Sequence, residues 1–457
     1  MGLIGIFLSL ALLMFLAYRG ISVLILAPLL ALLATLFAGG LPVLATYTQV
    51  FMPALGDYLV KFFPLFLLGA IFGKLMADSG SARTIAEWFT ETMGAKHAIA
   101  AVVFACGVLT YGGVSLFVVA FAVYPIGNEL FRRAETPKRL LPAALALGSF
   151  TFTMTAFPGT PAIQNAIPMP YFNTTPFAAP IFGTLAGLGM LIFGTLWLNR
   201  RRARAAANGE GYGQHEPTDS DAQTRPATLP PIWRALLPVV AVIALNALFT
   251  YLVIPWMDTS YLSQEDYGGA EIGDVRGIWA IIASLVFAIA LVTALNWPRF
   301  DDLKQSFNRG TLGSLLPVFN TASEVGYGAV IASLPAFMVI RDAVLGISSN
   351  PLLSSAVATN VLAGITGSAS GGMSIALETL GGEFMSRAQA AGIDPEIMHR
   401  VVALSSGGFD ALPHNGAVIT LLAITGLTHR QSYADIFVVA VLIPFSLTLL
   451  VILGASI

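Results

Sequence analysis

Three ionisable side chains stand inside long apolar runs of this chain, where charge is costly and marks function by default. Asp410 and His414 lie four residues apart in Phe409-Asp410-Ala411-Leu412-Pro413-His414-Asn415-Gly416. Glu324 lies in the apolar run 311–340. A carboxyl and an imidazole in a half-dry chamber can hold or pass a proton near neutral pH. Small, hydroxyl-bearing and amide residues accompany them. Gly112, Gly113 and Ser115 form one cluster; Ser368, Ser370, Gly371, Gly372 and Ser374 form another. Thr155, Gly159, Thr160 and Asn165 follow the first, and Asn415 adjoins His414. Paired glycines permit a tight reversal and leave backbone N–H groups open. These groups together would make a polar chamber that attracts an anion. The two glycine clusters would offer it N–H and hydroxyl groups, Thr155, Thr160, Asn165 and Asn415 would add hydrogen bonds, and Asp410, His414 and Glu324 would carry a coupled proton. A competing use of the same oxygens is to hold Na⁺. A purely structural reading has the glycines serving close helix packing, Asp410 and His414 a capping contact, and Glu324 satisfied by the Thr321 or Ser323 hydroxyl.

The elements that must position these groups are membrane helices. Of 457 residues, 56% are hydrophobic and 11% charged, against about 25% charged in soluble domains. That composition describes an all-α polytopic membrane protein embedded in the lipid bilayer. Net charge is −2, so no polybasic footprint for nucleic acid exists. The single cysteine, Cys106, excludes an internal disulfide and a Cys-based metal cluster. The sequence holds no HExxH, Walker A or GxSxG motif, so neither an enzyme, a cofactor nor a nucleotide-driven pump is expected. Neither a ring of acidic residues nor an Arg-rich sensor helix is present, which argues against a cation channel; an anion channel remains a second class. Apolar runs fall at 3–18, 21–38, 59–77, 98–131, 139–198, 233–256, 276–296, 311–340, 352–386, 399–427 and 433–456. The first lacks a basic n-region and a cleavage pattern and reads as a retained span.

The two halves match at a nearly constant offset. Gly69-Ala70 pairs with Gly328-Ala329, and Gly112-Gly113-Val114-Ser115 with Gly371-Gly372-Met373-Ser374, both at 259; Phe157-Pro158 pairs with Leu412-Pro413 at 255. Two repeats are expected: 1–198 (arm 1–58, transport part 59–198) and 233–457 (arm 233–296, transport part 311–457). A polar linker at 199–232 carries Arg200, Arg201, Arg202 and Arg204 and should be flexible and cytoplasmic. Arg19, Arg132, Arg133, Lys138, Arg139, Arg299, Lys304 and Arg309 join it on the cytoplasmic side, whereas 257–275 holds no Lys or Arg. This pattern places both termini outside and makes the repeats inverted, an architecture of secondary transporters.

Within each repeat a hairpin should reach membrane depth, with tips at 112–115 and 367–374. Each should be followed by a broken span. The first break contains Phe157-Pro158-Gly159-Thr160-Pro161, and the second spans 405–416. Prolines beside glycine cannot continue a helix. The half-helix ends would expose N–H groups with partial positive charge. Asp57, Lys61 and Lys74 sit near span ends, where lysines snorkel; Glu378 sits in a hairpin arm.

Gly112-Gly113-Val114-Ser115-Leu116-Phe117, Tyr124-Pro125, Phe157-Pro158-Gly159-Thr160-Pro161 and Gly408-Phe409-Asp410-Ala411-Leu412-Pro413-His414-Asn415-Gly416-Ala417 resemble the gluconate permease (GntP) family of the ion transporter superfamily. The resemblance spans most of the chain outside the linker. It implies proton-coupled uptake of gluconate, related sugar acids or short hydroxyacids such as 3-hydroxybutyrate, across a bacterial inner membrane. It also implies a scaffold domain, an elevator-like transport domain carrying the hairpins, and a homodimer. The Pro413-His414-Asn415-Gly416 stretch resembles the hydroxybutyrate branch more than the gluconate branch.

Overall fold

A long apolar stretch satisfies its backbone in lipid only as helix or closed barrel. The computed structural model, which describes residues 1–19, 21–215 and 229–456, takes the helical solution and contains no strand among those residues. Five helices are long and apolar enough to cross a membrane: Val43–Asp78, Pro180–Ala207, Ile232–Trp256, Ile272–Arg299 and His429–Ala455. Two further apolar helix pairs are sharply bent: Ser81–Met93 meets Ala95–Tyr111 at 107°, and Leu303–Ser333 meets Phe337–Gly346 at 97°. Gly80, at φ +76°, starts the first bent pair's leading helix.

The two halves interlock. Gly2–Tyr18 and Val23–Ala38 pack on each other, and Val23–Ala38 lies against Leu303–Ser333 of the second half. Conversely, Ile272–Asn296 packs on both Ile232–Leu248 and Met52–Asp78 of the first half. Met52–Asp78 and Leu303–Ser333 form the largest helix pair of the molecule. Small residues allow the approach: a Cβ on Gly310 would stand 2.8 Å from the Ile71 Cα.

Both hairpins form. The first is Ala98–Tyr111 and Leu116–Arg133 joined through Gly112–Ser115; the second is Pro351–Thr366 and Ala369–Ala390 joined through Gly367 and Ser368. The second tip is shorter than the sequence reading had it. Ser370, Gly371, Gly372 and Ser374 lie in the first turns of a helix, because Ser368 accepts a hydrogen bond from Gly371 N at 3.0 Å and starts the helix there. The second break is also narrower. Pro395–Phe409 runs helically through Ser405, Ser406, Gly407 and Gly408, and Gly416 begins the next helix, so only 410–415 is irregular.

Residue 58 lies within the Met52–Asp78 helix. Pro180–Ala207 carries nine residues of the expected linker as helix, its Arg side chains projecting beyond the apolar stretch. Residues 208–215 then fold back: Arg139 Nε bonds Glu210 at 2.6 Å, and Lys138 N donates to the Tyr212 carbonyl at 3.3 Å. The part of the linker at 216–228 lies outside the described residues.

Candidate functional site

Each hairpin tip is fastened to the break that follows it. In the first half, Tyr111 Oη donates to the Pro158 carbonyl at 2.6 Å. Gly113, at φ +91°, presses on Pro161, whose Cγ would be 2.8 Å from any Cβ there. In the second half, His414 Nε2 donates to the Gly364 carbonyl at 2.8 Å, and Asn415 Nδ2 to the Gly367 carbonyl at 2.7 Å. The two breaks approach each other across Pro395–Phe409: Thr155, in the π-helical turn Phe152–Ala156, touches Gly407, where a Cβ would meet its Cγ2 at 2.8 Å. Hairpin, break, helix, break and hairpin therefore form one connected body.

The two tips are not equivalent. At the first, the Leu116–Arg133 helix begins with Ser115, which makes no side-chain cap and is exposed. Its first-turn N–H groups are the kind of donor that receives an anion. At the second, Ser368 caps the helix and the Glu324 carboxyl lies over its first turn, with Oε2 only 1.5 Å from where a Gly371 Cβ would stand. Glycine is required at 371 for that approach. Glu324 is 3% exposed, and its Oε2 has no hydrogen-bond partner. Thr321 and Ser370 approach each other at 3.4 Å, and Ser368 and Ser370 at 3.5 Å. The helix N-terminus that would bind an external carboxylate already has an internal one beside it.

Asp410 closes the Pro395–Phe409 helix, is buried, and has an unpartnered Oδ1. It is not hydrogen-bonded to His414, whose Nε2 is spent on Gly364. The two residues share a break but act on different neighbours. Near Asp410, the unpartnered Asn360 Oδ1 faces Gly408. Asn415 accepts Val418 N at 2.9 Å and caps the next helix, so its amide is committed at both ends to backbone.

Asn165 is committed more fully. Its Nδ2 donates to the Thr160 and Pro176 carbonyls at 3.0 and 2.8 Å. Its Oδ1 accepts from Arg400 at 3.1 Å and from His399 Nε2 at 3.3 Å. These bonds brace the first break. Thr160 is fully buried, and its Oγ1 accepts from Ala162 N at 3.3 Å. Gly159, at φ +82°, bonds the Pro176 carbonyl and accepts from Asn246.

Arg400 and His399 escaped the sequence reading because they stand at the edge of the run 399–427 and pass for a snorkelling end. The structure buries both completely. Arg400 donates to the Ala178 and Thr155 carbonyls as well as to Asn165. Thr155 lies in the π-helical turn of the first break and Ala178 in the bend before the Pro180–Ala207 helix. Because Asn165 Oδ1 can only accept, His399 donates through Nε2, and its Nδ1 then accepts from Thr174 Oγ1 at 2.6 Å.

No group of three His, Cys, Asp or Glu poised for a metal occurs among the described residues. A cleft of about 1240 Å³ opens beside Arg83, Glu129, Arg133 and Lys138. None of the residues above lines it, and Glu129 is paired there with Arg132 and Arg133. It is a polar surface cleft of the molecule's charged end, separate from the tips and breaks.

Residues 1–417 match the family model described as GntP family permease. The chain belongs to this family of membrane transporters. It is 46% identical to the "Uncharacterized transporter YxjC" of Bacillus subtilis (strain 168), over 97% of this chain and 96% of the relative. The family resemblance read from the glycine, proline and Asp410–Asn415 motifs is thereby borne out. In fold, the chain is similar to the crystal structure of the Alcanivorax borkumensis YdaH transporter, described as having an unusual topology. That likeness has a TM-score of 0.54 at 16% identity and covers 88% of this chain and 85% of that one. The chain is accordingly a multi-pass membrane permease for a small molecule.

Proposed function

We propose that this permease is a proton-coupled symporter for a small hydroxylated monocarboxylate such as gluconate or 3-hydroxybutyrate. The observation that carries the reading is the inequality of the two tips. In the first half the helix N-terminus at Ser115 has no side-chain cap and would offer its first-turn N–H groups to a solute carboxylate. In the second half only, two buried carboxyls, Glu324 and Asp410, each keep an oxygen without a partner. Their counterparts in the first half are Leu65 and Thr155. One half thus offers anion binding and the other proton exchange. Gly112, Gly113, Ser115, Thr155 and Thr160 belong to the solute side. Asp410, Glu324 and His414 belong to the proton side.

The interlocked arms support inverted repeats, with 1–58 and 233–296 as scaffold and the fastened hairpins and breaks as a moving body, in a homodimer with both termini periplasmic. The hydroxyls of Thr321, Ser368 and Ser370 around Glu324 favour one second reading, in which Na⁺ replaces the proton. Competition by unlabelled gluconate and 3-hydroxybutyrate against each other in reconstituted vesicles tests the substrate class. Inhibition by a hydroxymonocarboxylate supports it. Inhibition only by amino acids or by uncharged sugars refutes it.

A further inference from the structure

Glu324 is buried in the protein, and a small cavity near the start of the Met52–Asp78 helix is lined by the next residue, Val325. The cavity measures about 10 Å³ and is lined by Asp57, Tyr58, Lys61, Tyr171, Val325 and Glu378, with Ala54 and Phe62. That is the volume occupied by the centre of a single water. Its outer rim is charged and open: Asp57, Lys61 and Glu378 are exposed. Tyr171 Oη donates to Glu378 Oε2 at 2.8 Å, and the Lys61 ammonium stands 5.8 Å from the Tyr171 ring centre. These are the charged groups that the three packed helices present there.

Tyr58 forms the inner wall. It is 3% exposed, its ring is held by Phe62 at 4.8 Å between centres, and its Oη has no hydrogen-bond partner. Behind it, the hydroxyl faces Ser374 and Thr321 and lies within electrostatic reach of Glu324. Ser374 stands one helical turn from Gly371, on which Glu324 rests, and Thr321 one turn from Glu324 itself. Ser374 Oγ is also unpartnered. Three buried polar atoms without partners, Tyr58 Oη, Ser374 Oγ and Glu324 Oε2, thus belong to neighbouring residues behind a water-sized cavity that Tyr58 lines. Buried polar atoms are rarely left unpaired.

We propose that Tyr58 is the relay through which protons pass between the charged rim and Glu324. The proposal rests on the reading that Glu324 exchanges a proton during transport. A water in the cavity takes a proton from the protonated rim carboxyl of Glu378 or Asp57 and gives one to an Oη lone pair as the phenolic hydrogen passes to Ser374 Oγ. The Ser374 hydrogen passes to Glu324 Oε2, turning carboxylate into carboxylic acid. The phenol and the serine end neutral, and rotation of the two hydroxyls resets them. Asp57 and Glu378 gather protons at the rim, and Tyr171 holds Glu378 toward the cavity.

The test compares wild type, Tyr58→Phe and Glu324→Gln in proteoliposomes, using the carboxylate that the wild type accumulates. Two rates are read: uptake driven by an imposed proton gradient, and substrate counterflow at equal pH, which needs no net proton movement. Tyr58→Phe keeps the ring and its packing. It should slow gradient-driven uptake at least tenfold and leave counterflow within twofold of wild type. Full gradient-driven uptake by Tyr58→Phe overturns the relay. Loss of counterflow together with uptake also overturns it, because Tyr58 then serves binding or folding. Glu324→Gln separates the two claims: if it accumulates substrate normally, the proton role of Glu324 fails; if it does not while Tyr58→Phe does, only the relay fails.

Discussion

Arg400 shows what a buried cation can do without a carboxylate partner. Its guanidinium serves the Thr155 and Ala178 carbonyls and the Asn165 amide, so the charge stabilises a break rather than an ion pair. Arg400→Met should leave both carbonyls unpaired, at about 1–3 kcal/mol for each orphan, and should lower the melting temperature in detergent by several degrees. Arg400→Lys, with one ammonium for three acceptors, should recover part of the loss. An unchanged melting temperature for Arg400→Met would show that the contacts are idle. Asp410→Asn is the opposite case: it keeps shape and burial, so the melting temperature should hold while accumulation against a gradient disappears. Asp410, His414 and Glu324 were legible in the sequence because charges within apolar runs are few and conspicuous. Arg400 was not, because a cation at the margin of such a run looks like a snorkelling side chain. The bracing contacts of Asn165 were hidden for another reason: residue type reveals bonding capacity but not which neighbouring groups take it up.

At the scale of elements, glycine decides how closely the second hairpin's arms approach. A Cβ on Gly372 would stand 2.2 Å from both the Cα and the N of Ala363, which are backbone atoms and cannot rotate aside. Gly372→Ala should force the arms apart, abolish uptake and lower the melting temperature. Gly382, in the same helix, has open space at its Cβ position, so Gly382→Ala should be neutral or slightly stabilising. Equal behaviour of the two variants would contradict the packing argument. The paired glycines marked both hairpins for different reasons: Gly112 and Gly113 lie in the first reversal, whereas Gly371 and Gly372 lie in the helix after the second, where Gly372 lets its arms meet. The hairpins' exact lengths were hidden. Whether Ser368 caps a helix depends on its side-chain orientation, and a cap moved Ser370 to Ser374 from loop into helix.

Across the whole molecule, the charged end ties distant segments together. Arg139 pairs with Glu210 and with Asp435, and Arg201 also reaches Asp435 at 2.8 Å. The Arg139 guanidinium holds the Glu210 carboxyl below its ordinary value of 4.5. A depressed carboxyl contributes stability that is present above pH 4.5 and lost as pH falls through its lower native value. Glu210→Gln should therefore melt below wild type at pH 7, with the difference closing under pH 4.5; a gap that persists in acid would assign it to packing. Composition announced the membrane class. The interlocking of each arm with the opposite half was invisible, because a linear match carries no information on which surfaces meet. The central claim concerns the whole transporter: a proton gradient drives a hydroxymonocarboxylate uphill. The most direct measurement is uptake of labelled gluconate or 3-hydroxybutyrate into sodium-free proteoliposomes under an inward proton gradient. Accumulation above the external concentration, collapsed by a protonophore and absent in Asp410→Asn, is the predicted result. Uptake that merely equilibrates, or that begins only when sodium is added, would contradict it.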